Sequence, residues 1–286
     1  MNPIQIGVCG WGDHDSLYPA GTASGDKLAI YSGHFPVVEV DSSYHAIQPP
    51  ERIARWVEET PEGFRFVVKA YREMTGHGRR NGAPELSAEE MFRAFQASLQ
   101  PMVVKGKLTA VLFQFPPWFD CNKKHVAYIR RCRERYPDLP LAVEFRNRTW
   151  FTTRYHDATL RFLEEEKWIH VACDEPDAGI GTVPIVAEVS HPEQAMVRLH
   201  GRNAEGWNKS GRSDAEWRDV RYAYRYTTEE LQEWVARIRR MKEQTKQVTV
   251  LFNNNSRGDA ADNAKQLADL MGITFAGLAP RQLEIF

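Results

Sequence analysis

The sequence predicts a single α/β fold, a TIM-like barrel of eight parallel strands forming one domain over residues 1–286. Three observations predict it. Eight short apolar runs alternate with helical segments, the pattern of parallel strands joined by crossover helices. No proline-, glycine- or serine-rich linker divides the chain, and its length suits one barrel with extended loops. On one parity of almost every run, polar or charged residues collect at the C-terminal end, where the loops of a barrel converge on one mouth.

In chain order, Ile4 to Cys9 reads as the first strand, closed by Gly10-Trp11-Gly12 and followed by a loop through Tyr18, Pro19 and Gly21. Lys27 to Tyr31 is helical. Val37 to Asp41 is the second strand, with Glu39 and Asp41 on one face and Val38 and Val40 on the other. Pro49-Pro50 opens a helix through Ile53, Trp56 and Val57, since a proline in the first turn lacks only an N–H that had no partner. The third strand, Phe64 to Ala70, puts Arg65, Val67 and Lys69 on one face. The loop from Thr75 to Pro84 is too polar for a core. Ser87-Ala-Glu-Glu90 is a capping box ahead of a long helix with Met91, Phe95 and Leu99 as its core stripe.

Leu108 to Phe115 is the fourth strand, ended by Pro116-Pro117, with Ala110, Leu112 and Gln114 sharing a face. A helix from Lys123 to Tyr136, with a solvated arginine-rich face, leads to the fifth strand at Leu141, where Ala142, Glu144 and Arg146 share a face. His156 to Lys167 is helical, and Trp168 to Asp174 is the sixth strand, read with His170, Ala172 and Asp174 together. Between Glu175 and Pro192 no full-length helix is predicted, so the barrel is expected to lack one crossover helix there. The seventh strand ends Met196-Val-Arg-Leu-His-Gly201, with Met196, Arg198 and His200 on one face. A long loop containing Gly206, Trp207, Gly211 and Tyr222 follows; loops of that length usually bind something or act as lids. Thr227-Thr-Glu-Glu230 caps a helix, Val248 to Asn253 is the eighth strand, and Asn254, Asn255 and Gly258 lead into a last helix from Asp259 to Met271.

Composition narrows the function classes. Net charge is -1, from 37 basic and 38 acidic side chains, so there is no overall field for nucleic acid or an anionic membrane. Anion binding, if present, is local. Cys9, Cys121, Cys132 and Cys173 form no Cys-x-x-Cys pair, which fits reduced cysteines and speaks against a zinc ribbon or a thioredoxin-type motif. With no secretory signal pattern and no apolar run long enough to span a bilayer, the expectation is a cytoplasmic protein without a membrane partner. Nothing in the sequence sets an oligomeric state.

Gathered at one mouth, the strand ends offer Trp11, Glu39, Asp41, Lys69, Gln114, Glu144, Arg146, Asp174, Arg198, His200 and Asn253. His200 is the mouth residue whose ordinary pKa lies near neutrality, which makes it the natural acid or base, with Glu144 and Glu39 as carboxyl partners. Arg146, Arg198, Lys69 and Arg202 suit a carboxylate or phosphate; Gln114 and Asn253 orient it, and Trp11 and Tyr44 offer flat surfaces. The same charges also suit structural ion pairs. No metal and no cofactor is expected, because the crowded cations compete with a metal for the carboxylates.

The residues also resemble a known family. Gly10-Trp11 with Tyr18-Pro19, Val38-Glu39-Val40-Asp41-Ser42-Ser43-Tyr44, Trp56 with Thr60-Pro61, Phe66 with Lys69, Phe113-Gln114-Phe115-Pro116-Pro117, Glu144-Phe145-Arg146 with Trp150-Phe151, Val197 through Arg202, and Phe252-Asn253-Asn254 with Asn263-Ala264 are similar to the YecE-like family, catalogued as domain of unknown function 72. The resemblance implies a TIM-like barrel and brings no activity with it. Two segments depart from the pattern: Gly12-Asp-His-Asp-Ser16 replaces a more aromatic stretch, and Tyr44-His45 replaces Phe-Tyr. The leading expectation is an enzyme, a hydrolase or isomerase, doing metal-independent acid–base chemistry on a small phosphorylated or sugar-like anion. The alternatives are a non-catalytic binder of a nucleotide or a nucleic-acid end, and a metal-dependent phosphoesterase.

Overall fold

Eight strands close into one parallel barrel in chain order. In the computed structural model, residues 2–78, 82, 85–209, 211–254 and 258–281 are described, so Asn255 and part of the predicted 75–84 loop lie outside the described residues. The strands are β1 (Ile4–Cys9), β2 (Val37–Val40), β3 (Arg65–Lys69), β4 (Leu108–Gln114), β5 (Leu141–Glu144), β6 (Trp168–Asp174), β7 (Gln194–Leu199) and β8 (Gln247–Phe252). Between them run α1 (Lys27–Tyr31), α2 (Ser42–His45), α3 (Pro50–Glu58), α4 (Ala88–Val104), α5 (Lys123–Arg135), α6 (His156–Glu165), α7 (Ala204–Trp207), α8 (Asp214–Arg221), α9 (Thr228–Lys242) and α10 (Asp259–Met271).

Strand burial follows from the architecture. Every residue of β1, β2, β5 and β6 is buried, because a barrel strand is covered by side chains inside and by helices outside. Trp150, Trp168 and Trp234 are among the largest fully buried side chains and lie in the shell between strands and helices. Each such ring contributes on the order of 2–3 kcal/mol by removing apolar surface from water.

The helix ends are set by local chemistry. Ser87 and Glu90 exchange side-chain and backbone hydrogen bonds at the start of α4, and Thr227 and Glu230 do the same for α9. Each cap satisfies orphan N–H groups and is worth about 1 kcal/mol. As predicted, no helix joins β6 to β7. The extended segment there covers the barrel by itself: Ser190 Oγ donates to the Trp168 carbonyl at 2.7 Å, and a His170 ring nitrogen lies 2.9 Å from the Val186 carbonyl.

Two expectations change. The 201–226 stretch, read as loop, contains α7 and α8, and α8 opens on a third capping box, from Ser213 to Glu216. The face assigned to the sixth strand is also reversed. β5 pairs Val143 with His170, and β7 pairs Arg198 with Cys173, so Val171 and Cys173 face the axis while His170 and Asp174 face the helices. No described helix is long and apolar enough to cross a membrane.

Candidate functional site

The strand registers build the mouth. Cys9 is level with Glu39, Gln114 with Glu144, and Cys173 with Arg198, and all six point to the axis from their strand ends. Residues that follow the strands on the same parity, Arg146, Glu175 and His200, continue inward. Parallel strands force these polar groups into one dry volume. Glu39, Glu144 and His200 are 0 % exposed, Arg198 1 % and Arg146 2 %.

That volume holds an alternating chain of charges. Arg198 donates to both oxygens of Glu39, at 2.6 and 2.8 Å, and to Glu144 Oε2 at 2.5 Å. Arg146 donates from Nε to Glu144 Oε1 at 2.5 Å and from Nη1 to Glu175. The order is therefore Glu39, Arg198, Glu144, Arg146, Glu175, carboxylate alternating with guanidinium across the barrel. Isolated charges this deep would cost several kcal/mol each, and the shared guanidiniums offset that cost.

His200 completes the network. Its Nε2 lies 3.0 Å from Arg146 Nη2 and 3.4 Å from Glu144 Oε1, and its Nδ1 lies 3.0 Å from the Asn253 side-chain amide. A guanidinium can only donate, so the close approach of Arg146 makes Nε2 an acceptor and leaves the ring proton on Nδ1. The Asn253 side-chain nitrogen is the atom at 3.0 Å, and a flip of that amide would place its oxygen on the Nδ1 proton.

The electrostatics differ from group to group. Burial and the Arg146 charge hold His200 well below its usual value, against the pull of Glu144. Burial alone would raise Glu144, but Arg146 and Arg198 overwhelm it and keep the carboxyl far below the usual range. Glu39 goes the other way: burial lifts it to about 7, with Arg198 pulling down and Asp41 adding to the rise. Glu175 is likewise lifted to about 7 by burial, opposed by Arg146 and the Val183 N–H.

Above this network lies a wetter rim. Lys69, 15 % exposed in its side chain, faces Asp41 at 3.5 Å and sits 4.8 Å over the Tyr44 ring. Arg72 flanks the same ring at 5.5 Å, and His77 meets it edge-on at 5.3 Å. On the other side, Trp207 and Tyr222 lie 6.4 and 6.3 Å from the His200 ring, so the α7–α8 segment covers it. Arg146 stacks 5.5 Å over Trp207. Trp11 packs edge to face on Trp56 of α3 at 5.1 Å, and Gln114 is half-buried at the end of β4.

Glu39, Glu144, Arg146, Arg198, His200 and Asn253 thus converge on one network, Lys69, Gln114 and Tyr44 stand at the strand ends beside it, and Trp11 packs on Trp56 of α3. Arg202 does not join them. It donates to both oxygens of Asp174, at 2.8 to 3.1 Å, and to Glu230 at 3.1 Å, while Trp234 donates to Asp174 from the helix side. Gly201 causes this divergence: its φ of +86° breaks the alternation after His200, and a Cβ there would sit 2.5 Å from Tyr224. The sequence reading missed Glu175, Arg72, Arg221, Trp207 and Tyr222 as site residues. Correct parity on β6 reaches Glu175, and the Ser213–Glu216 capping box points to a helix that ends at Arg221.

Among the described residues, two groups offer clustered metal-ligating atoms, Cys9 with Glu39 and Asp41, and Glu144 with Cys173 and His200, each within 4.8 Å. In both, a carboxylate already accepts from Arg198 or Arg146. Burial also pushes both thiols up, away from the thiolate a metal needs. Neither donor set fits a cation well.

Comparison with known proteins agrees with the fold. A family profile described as "Protein of unknown function DUF72" matches residues 5–284. The chain is 53% identical over 283 residues to YunF of Bacillus subtilis, covering 99% of this chain and 100% of that one. It is similar to the crystal structure of a DUF72 family protein from Enterococcus faecalis, with a TM-score of 0.90 and 38% identity over 98% of this chain and 100% of that chain. A DUF72 family protein from Thermotoga maritima matches with a TM-score of 0.79 and 27% identity, over 94% and 99% of the two chains.

Proposed function

The chain belongs to the DUF72 family, and we propose that it is an enzyme that moves a proton on a small phosphorylated or carboxylated substrate without a metal. One observation carries the reading: a neutral, oriented histidine lies in a network of fixed charges, directly beneath an aromatic and cation-lined rim. The ring is neutral at pH 7 and aimed by its neighbours, and its lone pair becomes an effective base only when Arg146 is drawn off it.

The roles follow from the geometry. An anion passing under Trp207 and Tyr222 draws a donor of Arg146 away from His200, and the freed Nε2 lone pair takes the substrate's proton. The imidazolium formed is stabilised by Glu144, 3.4 Å away. Asn253 fixes the ring through Nδ1, and Arg198 anchors Glu144 and Glu39 together. Glu39, lifted to about 7, is the second group able to hold or release a proton near neutral pH. Lys69 and Gln114 orient the anion, and Trp11 and Tyr44 flank it. Arg202 has no direct role, being committed to Asp174 and Glu230.

Native mass spectrometry of gently purified protein, followed by turnover assays on phosphate monoesters, sugar phosphates and carboxylates, tests this. Isomerisation by proton transfer is the reaction class to try first; hydrolysis, in which the same lone pair would take its proton from an attacking water, is the second. Wild-type protein should convert a ligand that His200→Gln retains but does not convert. A retained ligand that wild-type protein leaves unchanged would make the protein a binder, and His200→Gln turnover equal to wild type would remove the mechanism.

A further inference from the structure

We infer that Arg221 and Arg72 form the anion-recognition pair of the mouth, and that they select a dianionic phosphate monoester over a carboxylate. The inference rests on the acid–base reading above for where the ligand sits. Its evidence is separate.

Arg221 is the last residue of α8. Its guanidinium is wedged among three rings, 4.4 Å over Trp207, 4.6 Å over Trp217 and 5.2 Å over Tyr222. Its Nε is buried with no hydrogen-bond partner, and no described carboxylate lies within ion-pair distance, although Glu175 and Glu144 act on it from farther off. Arginines this enclosed ordinarily carry bidentate carboxylate partners. The lack of one leaves an unspent donor edge beside Arg146 and Tyr222.

Arg72 stands on the Tyr44 side. Among the described residues it donates to backbone carbonyls, those of Gly78 at 2.8 Å and His77 at 3.2 Å, and has no carboxylate partner. The other rim and network cations are matched: Lys69 by Asp41, Arg146 by Glu144 and Glu175, Arg198 by Glu39 and Glu144. His77 adds no charge near neutral pH, because burial and its neighbours Lys69, Arg72 and Arg146 lower it to about 4. Tyr222 links the two sides, lying within electrostatic reach of Lys69, Tyr44, Arg146 and Arg221.

Two guanidiniums without an ion-pair partner among the described residues therefore stand on the Tyr44 and the Tyr222 sides of the mouth. A carboxylate supplies one negative charge, and a phosphate monoester supplies close to two, with three acceptor oxygens for the free N–H groups. The fork of Arg221, held flat between rings, is already ordered for bidentate contact.

The test is calorimetric titration of the full chain at low salt and pH 8 with phenyl phosphate, methyl phenyl phosphate and benzoate, which share a ring and differ in anion. Phenyl phosphate should bind at least about tenfold more tightly than the two monoanions, and Arg221→Gln and Arg72→Gln should each weaken it by about tenfold or more. Arg221→Lys, which keeps the charge and most of the stacking body, should recover part of the loss. Equal affinity for phenyl phosphate and benzoate, wild-type protein that ignores phenyl phosphate, or glutamine variants that bind within about twofold of wild type would each overturn the pair. His200→Gln separates this inference from the acid–base reading, since it should bind phenyl phosphate as wild type does. Loss of binding in Arg221→Gln with unimpaired turnover in His200→Gln would keep the recognition pair and discard the base.

Discussion

The two tiers of the mouth handle charge in opposite ways. In the lower tier, three carboxylates and two guanidiniums alternate with every oxygen of Glu39 and Glu144 occupied, and all of it lies out of reach of water. In the upper tier, Asp41 is 40 % exposed in its side chain, the Lys69 contact is 3.5 Å, and Arg72 and Arg221 have no carboxylate partner among the described residues. The lower tier is saturated and stiff, while the upper one is left with donors to spend. Binding energy is available only where partners are missing, so the rim recognises the ligand and the network beneath it holds His200 in place.

Substitutions can break this contrast at several points. The largest effect is expected at Arg198. Arg198→Met leaves Glu39 and Glu144 each short of a buried partner and should cost about 3–5 kcal/mol in urea unfolding. A loss below about 1 kcal/mol would mean that the tier is open to water.

Glu39→Gln sharpens the comparison through pH. A carboxyl raised in the folded state binds its proton more tightly there than in the unfolded chain. Its stabilisation is therefore complete below the usual value near 4.5 and is lost as pH rises through about 7. The stability of wild type relative to Glu39→Gln should fall by about 3 kcal/mol between those limits, at about 1.4 kcal/mol per unit. A difference flat with pH would put Glu39 at an ordinary value.

Arg202→Gln comes next. It strips buried Asp174 of its guanidinium but leaves the Trp234 hydrogen bond, so the expected loss is about 2 kcal/mol, with ligand affinity unchanged. Lys69→Met should have the smallest effect on stability, within about 1 kcal/mol, because its partner is half in water. The same change should still weaken anion binding clearly. Arg202 and Lys69 thus separate stability from recognition in opposite senses.

The barrel was legible because each strand carries a local signal, and the inward parity on β2, β4, β5 and β7 was marked by polar residues among apolar ones. On β6 the signal failed. Trp168 to Asp174 is buried on both faces, so alternation there gives no contrast, and the polar pair His170 and Asp174 belongs to the helix side. Glu175, one residue past the strand, carried the true parity. Arg202 misled for a different reason: parity counts only while the backbone stays extended, and Gly201 leaves that region. Arg221 and Tyr222 come from a helix end packed over another part of the chain, a placement that tertiary contacts decide.

The most direct test of the central claim is nitrogen-15 NMR of the His200 ring in the free protein, followed through neutral pH. The ring should be neutral with its proton on Nδ1 throughout, because Nε2 accepts from Arg146 inside a dry network. A ring that titrates near the ordinary histidine value, or one that carries its proton on Nε2, would contradict it.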